Sequence, residues 1–436
     1  MKPRLVLAVA AFAAAASLAP ATSAQEGPVT FEFSFSNPGA RSMGLGGAFA
    51  ALADDATAAF ANPAGLVQLI EPEISVEGRS WSYDTPFIQG GRASGSPSGI
   101  GVDTASGIRR GTSSSEQTGF SFASFVYPGD GWALAVYRHT WADFDLDSRV
   151  DGLFAVVDGE DERSEDVRAT TSVEVVNSGV ALAFELGERF SVGVGGVHYE
   201  AKLDSFTGEF AQDDDDFYER NDFDPELLDT AYSHRADDDG FVVHAGLLWR
   251  PSDRWSLGAH YRQGPELAMR VIEIVGPGQD ELPVGTVELD VTTPFKLPDT
   301  WGAGVAYRHP DGSWTLSFEW TRVEYSSITE SLDTEVFDAD QLALEDGDEY
   351  HLGLEYVFVR SRPIVALRLG AWHDPAHSLG SGPTADVFES AIFQTGDDEI
   401  HATAGLGVVF GDFQLDLGAD LSDTADVVSL SFVYRF

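Results

Sequence analysis

The sequence predicts an all-β protein: a transmembrane antiparallel β-barrel of fourteen strands with a small N-terminal plug, or hatch, inside the lumen. Three observations predict it. In the last ten residues Val428, Leu430, Phe432, Tyr434 and Phe436 alternate with Ser429, Ser431 and Arg435, Val433 being the one apolar exception. The chain starts with a secretory leader. Its short turns and long connections alternate with a parity that closes on an even strand number. A half-polar strand running to the last residue fits the closing strand of an outer-membrane barrel, apolar toward lipid and polar toward a lumen. An edge strand of a soluble β-sandwich shows the same period.

The leader comes first. Lys2 and Arg4 form a basic n-region, Leu5 to Ala16 a short apolar core, and Thr22-Ser23-Ala24 a small-residue cleavage site, so residues 1–24 read as a signal peptide removed before Gln25. The core is too short to span a bilayer, and no uncharged apolar run of about 18 residues follows, which excludes an inner-membrane helical protein. A closed barrel remains open to such a chain, because it also satisfies every backbone group in lipid.

Composition narrows the function. The chain has no cysteine, so neither a disulfide framework nor a thiolate metal site is available. Net charge is −45, and loss of Lys2 and Arg4 with the leader lowers it by two, to −47. Such a field repels nucleic acid and anionic surfaces. The 45 glycines suit many tight turns and crowded backbones.

Six short turns stand out: Pro128 to Gly131, Leu186 to Arg189, Pro251 to Arg254, His309 to Gly312, Val359 to Pro363 and Phe410 to Asp412. Between them lie mostly long, acidic connections, about 84–117, 143–169, 204–238, 275–285, 328–348 and 374–398, with a brief seventh at Ser422 to Ala425. Six turns on one side and seven connections on the other give fourteen strands with both termini on the short-turn side, as in outer-membrane barrels. Trp314, Leu316, Phe318 and Trp320 oppose Thr315, Ser317, Glu319 and Thr321; Tyr350, Leu352, Leu354 and Tyr356 oppose His351, Gly353 and Glu355. Tyr127, Trp132, Trp249, Trp255, Tyr307 and Trp314 sit near the turns, as an interfacial girdle requires. Val287 to Val291 and Trp301 to Tyr307 are read as one long strand broken at Pro298, where the missing N–H implies a bulge or kink.

Residues 25–72 do not alternate, and the barrel is assigned to 73–436. The intervening segment is small and apolar. Asp54 or Asp55 is placed to cap a short helix over Ala56 to Ala61, which Asn62-Pro63 ends. Gly-Gly-Ala at 46–48, Ala-Asp-Asp-Ala at 53–56 and Asn62-Pro63-Ala64-Gly65-Leu66 together resemble the N-terminal hatch of the FadL-type outer-membrane family that transports fatty acids and hydrocarbons. Leu297-Pro298-Asp299-Thr300-Trp301 and Trp372-His373-Asp374-Pro375 are similar to later segments of that family. The resemblance implies a plugged fourteen-stranded barrel that captures a hydrophobic ligand outside, holds it at an internal apolar site and releases it by hatch movement, sideways through a kinked third strand. It makes Asn62, Pro63 and Ala64 the hatch motif and places Phe31, Phe33 and Phe35 at the internal ligand. One departure stands against it: the third strand, Gly131 to Trp141, holds no Gly or Pro after Gly131, so nothing in it is expected to break strand geometry.

The remaining sites each carry two readings. Phe206, Phe210, Phe217, Tyr218 and Phe223, amid acids, form either an external capture loop for a greasy ligand or a loop packed on its own barrel rim. Asp213 to Asp216 lack the spacing and glycine of a calcium loop and read as a solvated charge run. His244, His260, His351 and His401 fall on the lumen face, as pore lining rather than metal ligands. No Gly-x-Ser-x-Gly, phosphate loop or paired carboxylates appear, so no enzyme, cofactor or metal is expected.

The expected function is passive uptake of hydrophobic small molecules, long-chain fatty acids or related hydrocarbons, across a Gram-negative outer membrane. The expected partners are the ligand, outer-membrane lipid and lipopolysaccharide, and the barrel-assembly machinery; nucleic acid is not among them, and the protein is expected to be a monomer. A structural or docking barrel for a secreted partner, and a general porin, are the other readings.

Overall fold

The computed structural model describes residues 36–212, 217–279, 282–331 and 342–436. The leader, Phe31, Phe33, Phe35 and Asp213 to Asp216 lie outside the described residues.

The described residues build a closed antiparallel barrel of fourteen wall positions. In chain order these are β1 (Glu73–Arg92), β2 (Ile108–Gly129), β3 (Trp132–Val157), β4 (Asp166–Glu185), β5 (Phe190–Phe210), β6 (Leu228–Trp249), β7 in two segments (Trp255–Arg262 and Glu266–Val275), β8 in two segments (Val287–Lys296 and Thr300–Arg308), β9 (Trp314–Val323), β10 (Gly347–Val357), β11 (Ile364–Asp374), β12 (Glu399–Phe410), β13 (Phe413–Leu421) and β14 (Ala425–Arg435). β14 closes on β1 in register from Glu73 opposite Arg435 to Tyr83 opposite Ala425. Phe436 donates its N–H to Pro72 O at 3.1 Å and stacks on Phe125 and Tyr434.

The burial pattern distinguishes a barrel from a sandwich. Ser429 and Ser431 are 0% and 3% exposed, while Val428 and Leu430 beside them are 47% and 52% exposed. The same inversion holds in β9, where Thr315, Ser317 and Glu319 are buried and Leu316 and Phe318 are exposed. Polar side chains inside and apolar ones outside are stable only where the outside is lipid. All six short turns fall where the sequence reading puts them. The aromatics around them pair: Trp255 with Tyr307 at 4.9 Å and Tyr307 with Trp314 at 5.3 Å.

One expectation needs correction and another needs extension. The first three long connections are much shorter than the alternation suggests, because β1 to β6 run on past the membrane. About 9–11 tilted residues cross the hydrocarbon, whereas β3 has 26. Beyond the bilayer neither face must be apolar, so the hydrophobic period disappears although the ladder continues. At the outer end β3 also pairs in parallel with β1, Leu153 opposite Gly91 and Phe154 opposite Arg92. The break at Pro298 is present, and a second one in β7, at Gln263-Gly264-Pro265, lies beside it. The lower segments of β7 and β8 pair with each other, as do the upper segments. Asp299 binds the breaks together, accepting from Gly264 N at 2.9 Å, Tyr261 Oη at 2.5 Å and Lys296 Nζ at 2.6 Å.

Candidate ligand chamber and wall seam

Residues 37–69 lie against the inward faces of the wall. Their helices are single turns, α1 (Ala40–Met43) and α2 (Ala58–Ala61), followed by a 3-10 stretch at Pro63–Gln68. Runs this short are marginal alone, so packing holds them. Inward glycines of the wall supply the space. A Cβ on Gly246 would sit 2.0 Å from Asn62 Oδ1, one on Gly258 2.1 Å from Ala50 O, one on Gly370 2.4 Å from Gly46 N, and one on Gly353 2.5 Å from Leu45 O. The sequence reading gave glycine to tight turns and crowded backbones, and at these positions it lets one backbone touch another.

Inward polar side chains then satisfy the segment's backbone, which short helices leave unpaired. Glu319 accepts from Phe49 N and Ala50 N at 2.8 and 2.7 Å. Glu77 accepts from Gly39 N at 3.0 Å, Ser431 Oγ from Ala40 N at 2.8 Å and Glu73 from Ala56 N at 2.7 Å. His351 Nδ1 donates to Gly46 O at 2.7 Å. Asn62, fully buried, donates to both Ala50 O at 2.8 Å and Leu247 O of β6 at 3.0 Å, and accepts from Ala64 N at 3.2 Å. Ala64 O in turn accepts from Ser191 Oγ at 2.9 Å. Asn62 therefore ties two parts of the segment to the wall. The expected cap comes from Asp55, whose carboxylate accepts from Thr57 N at 3.0 Å and from Thr57 Oγ1, one turn ahead of the regular helix at Ala58, for which Thr57 is the N-cap residue without a side-chain bond of its own. Asp54 pairs with Arg41 at 2.5 Å and Arg308 at 2.9 Å, and Arg41 continues to Glu355 at 3.2 Å. Burial raises the Asp54 pKa, but the two guanidinium groups outweigh it and hold the carboxyl well below the usual range. Asp55 is pushed up by burial, which Arg41 offsets only in part.

Phe60 of α2 forms the floor of a closed aromatic chamber with only about 10 Å³ of free space. His139, His244 and Tyr137 surround its ring at centroid distances of 4.5, 5.4 and 6.2 Å, and the Arg262 guanidinium lies 4.7 Å over it. His244, His260, His351 and His401 all sit on the lumen side as the sequence reading places them.

The wall beside this chamber has a seam. β2 and β3 share a ladder only from Gly129 opposite Trp132 to Phe122 opposite His139. Directly above, both strands bulge: Ser121 against β1 and Trp141 against β4. Beyond the bulges, among the described residues, side chains replace the ladder. Thr140 Oγ1 donates to Phe120 O at 3.3 Å, Gln117 to Asp145 at 2.8 Å, and Asp147 N to Ser113 Oγ at 3.1 Å. The expectation that the third strand keeps regular geometry is overturned. A bulge needs no Gly or Pro, so Trp141 left no mark in the sequence.

In the external loop Phe210 is buried against Phe223 at 5.5 Å, and Phe217 and Tyr218 pack on Phe154 at 5.7 and 5.9 Å. Arg92 and Arg163 cover the Phe154 ring. Phe206, 37% exposed, stands apart from these contacts on β5.

The model of the outer membrane protein transport family described as OMPP1/FadL/TodX matches residues 159–377, half of the chain. The chain belongs to this family. It is a family of transport channels for hydrophobic compounds, not of enzymes. Among solved structures, a FadL homologue of Pseudomonas aeruginosa shares 15% identity at a TM-score of 0.61, over 94% of this chain and 100% of that one. The toluene transporter TodX of Pseudomonas putida shares 14% at 0.56, over 93% and 99%. The toluene transporter TbuX of Ralstonia pickettii shares 12% at 0.54, over 92% and 98%. At such identities the likeness is one of fold. No curated protein matches the sequence.

Proposed function

We propose that this FadL-family barrel is a passive outer-membrane channel for hydrophobic small molecules, with residues 25–72 as its hatch. The observation that supports the reading is the pairing of an N-terminal segment hydrogen-bonded to the inward faces of the wall with an aromatic chamber beside a wall seam. A segment seated in this way obstructs hydrophilic flux, while the aromatic cluster of Phe60, Phe122 and Tyr137, buried beneath it, becomes an apolar site for a greasy solute when the segment shifts. The solute is captured outside around Phe206, Phe210, Phe217, Tyr218 and Phe223. It moves to the chamber, where Phe31, Phe33 and Phe35 contribute, and leaves sideways through the β2–β3 seam when the segment carrying Asn62, Pro63 and Ala64 shifts. The gradient drives it. Residues 1–24 direct export, the assembly machinery reads the terminal Phe436, and the mature barrel works as a monomer among lipid and lipopolysaccharide.

Long-chain fatty acids and aromatic hydrocarbons both suit the chamber's aromatic lining once the segment's shift enlarges its small void, the latter being what the Pseudomonas putida and Ralstonia relatives are described as transporting. The test is extraction of the barrel purified in mild detergent, with mass spectrometry of the extract. A bound fatty acid or hydrocarbon is expected. A ligand-free barrel that also fails to take up either solute fits a docking role instead.

A further inference from the structure

A second discontinuity lies in the wall, away from the β2–β3 seam. β6 pairs with the lower segment of β7 up to His244 opposite Arg262, and with the upper segment only from Arg235 opposite Arg270. Gln263 N still donates to Val243 O at 3.1 Å, and Ala268 N is taken by the Asp238 side chain at 2.9 Å. Between these contacts, among the described residues, no ladder joins the strands. The doubled break at Gly264-Pro265 and Pro298 causes the gap: Pro265 and Pro298 have no N–H to donate, and the chain turns out of register in both strands at one level.

One side chain closes the gap from inside. Tyr199 of β5 stands opposite Gly240 of β6. Its ring crosses Gly240, where a Cβ would lie 2.6 Å from Tyr199 Oη, and the hydroxyl donates to Glu266 O at 2.8 Å on the far lip. The phenol thus supplies the hydrogen bond that the missing ladder does not. Phe241, 80% exposed at the outer end of β6's apolar set, marks the lipid side of the gap. On the inner side a void of about 10 Å³, roughly one water in size, runs from Phe60, His244 and Arg262 to Gly264, Pro265 and Pro298. Asn177, 5% exposed, lines it with an amide oxygen that no described residue bonds. The chamber and the gap therefore adjoin, with Tyr199 between the gap and the lumen.

We infer that the β6–β7 gap is a second lateral window for hydrophobic solute, linking the Phe60 chamber to the outer edge of the bilayer, with Tyr199 as its gate. The inference rests on the transport reading above. Rotation of one side chain opens the window, since Gly240 offers no Cβ to obstruct the ring and only one hydrogen bond holds the phenol.

The test uses the full-length protein in cells supplied with radiolabelled oleate or radiolabelled toluene. Tyr199→Ala should raise uptake by about threefold to tenfold, the rate effect of removing one hydrogen bond from a closed gate; Tyr199→Phe should raise it less. The chain has no native cysteine, so Val243→Cys with Gln263→Cys gives a clean cross-link at the lower lip. Oxidation should cancel the Tyr199→Ala gain, and reduction should restore it. Heat-modifiable gel mobility identifies variants that assemble; if Tyr199→Ala does not, Tyr199→Phe with the cross-link carries the test. Wild-type uptake with no response to the Tyr199 variants or the cross-link overturns the window and leaves the transport reading standing. Absence of uptake by the wild-type barrel overturns the transport reading itself.

Discussion

Replacing Asn62 by Ala should unseat the hatch without opening the barrel. The side chain makes three hydrogen bonds, to Ala50 O, Leu247 O and Ala64 N, at 0% exposure. Each contributes about 1 kcal/mol net, and each partner left buried and unpaired costs about 1–3 kcal/mol. Because the neighbours relax in part, a loss of roughly 2–4 kcal/mol of seating is expected, equivalent to about a 30- to 1,000-fold rise in the unseated population. The wall ladder involves no Asn62 atom except through Leu247 O, so heat-modifiable gel mobility should stay that of the wild type. Conductance of single barrels in a planar bilayer should show frequent openings where the wild type is nearly closed. Asn62→Asp, equal in size but without the two donors, should behave similarly, since its carboxylate would face two carbonyls. A quiet Asn62→Ala barrel with wild-type uptake would refute the claim that this side chain holds the lumen shut.

Further outcomes follow from the same contacts. Gly370→Val places a side chain where Gly46 N and Leu45 C stand 2.4 and 2.6 Å from a Cβ; overpacking of about 1–3 kcal/mol should expose Arg41 to trypsin, while Gly196→Val, with open space around it, should not. Asp54 has a depressed pKa, so its contribution to seating is full above the ordinary carboxylate value of about 4 and is lost as pH falls below it; barrel conductance should rise on acidification, and Asp54→Asn should raise it at neutral pH and flatten the profile. Asp55, shifted upward, works against this and should limit its size. A cross-link between Gln117→Cys and Asp145→Cys, whose native side chains hydrogen-bond to each other across the β2–β3 seam, should lower hydrophobic uptake on oxidation and restore it on reduction; unchanged uptake would remove the seam from the route.

Much of the wall was legible because lipid imposes a rule that sequence can carry. Strand period, turn chemistry and aromatic placement all follow from a bilayer that rejects polar groups, so Trp314 to Thr321 and Val428 to Phe436 disclose their faces directly. Beyond the membrane that rule ends, and the outer halves of β1 to β6 looked like loops. The site was legible in one motif and silent elsewhere. Asn62-Pro63-Ala64 stood out by resemblance, whereas Glu77, Glu319 and Ser431, which hold the segment's N–H groups, look like any lumen-facing polar residue. Gly246, Gly353 and Gly370 did carry a signal: each takes an inward position of an alternating strand, where a glycine is best explained by another backbone pressing against it. The bulges at Ser121 and Trp141 had none, since an extra residue between two ladders is a property of pairing, not of residue type.

The most direct measurement of the central claim compares solutes of opposite character in the same cells. Uptake of radiolabelled oleate and toluene should rise and saturate when the wild-type protein is made, while permeation of a small hydrophilic sugar should stay at the level of cells without it. Sugar entering as freely as through an open pore, or no gain for either hydrophobic solute, would contradict a filled barrel that passes greasy molecules through its wall.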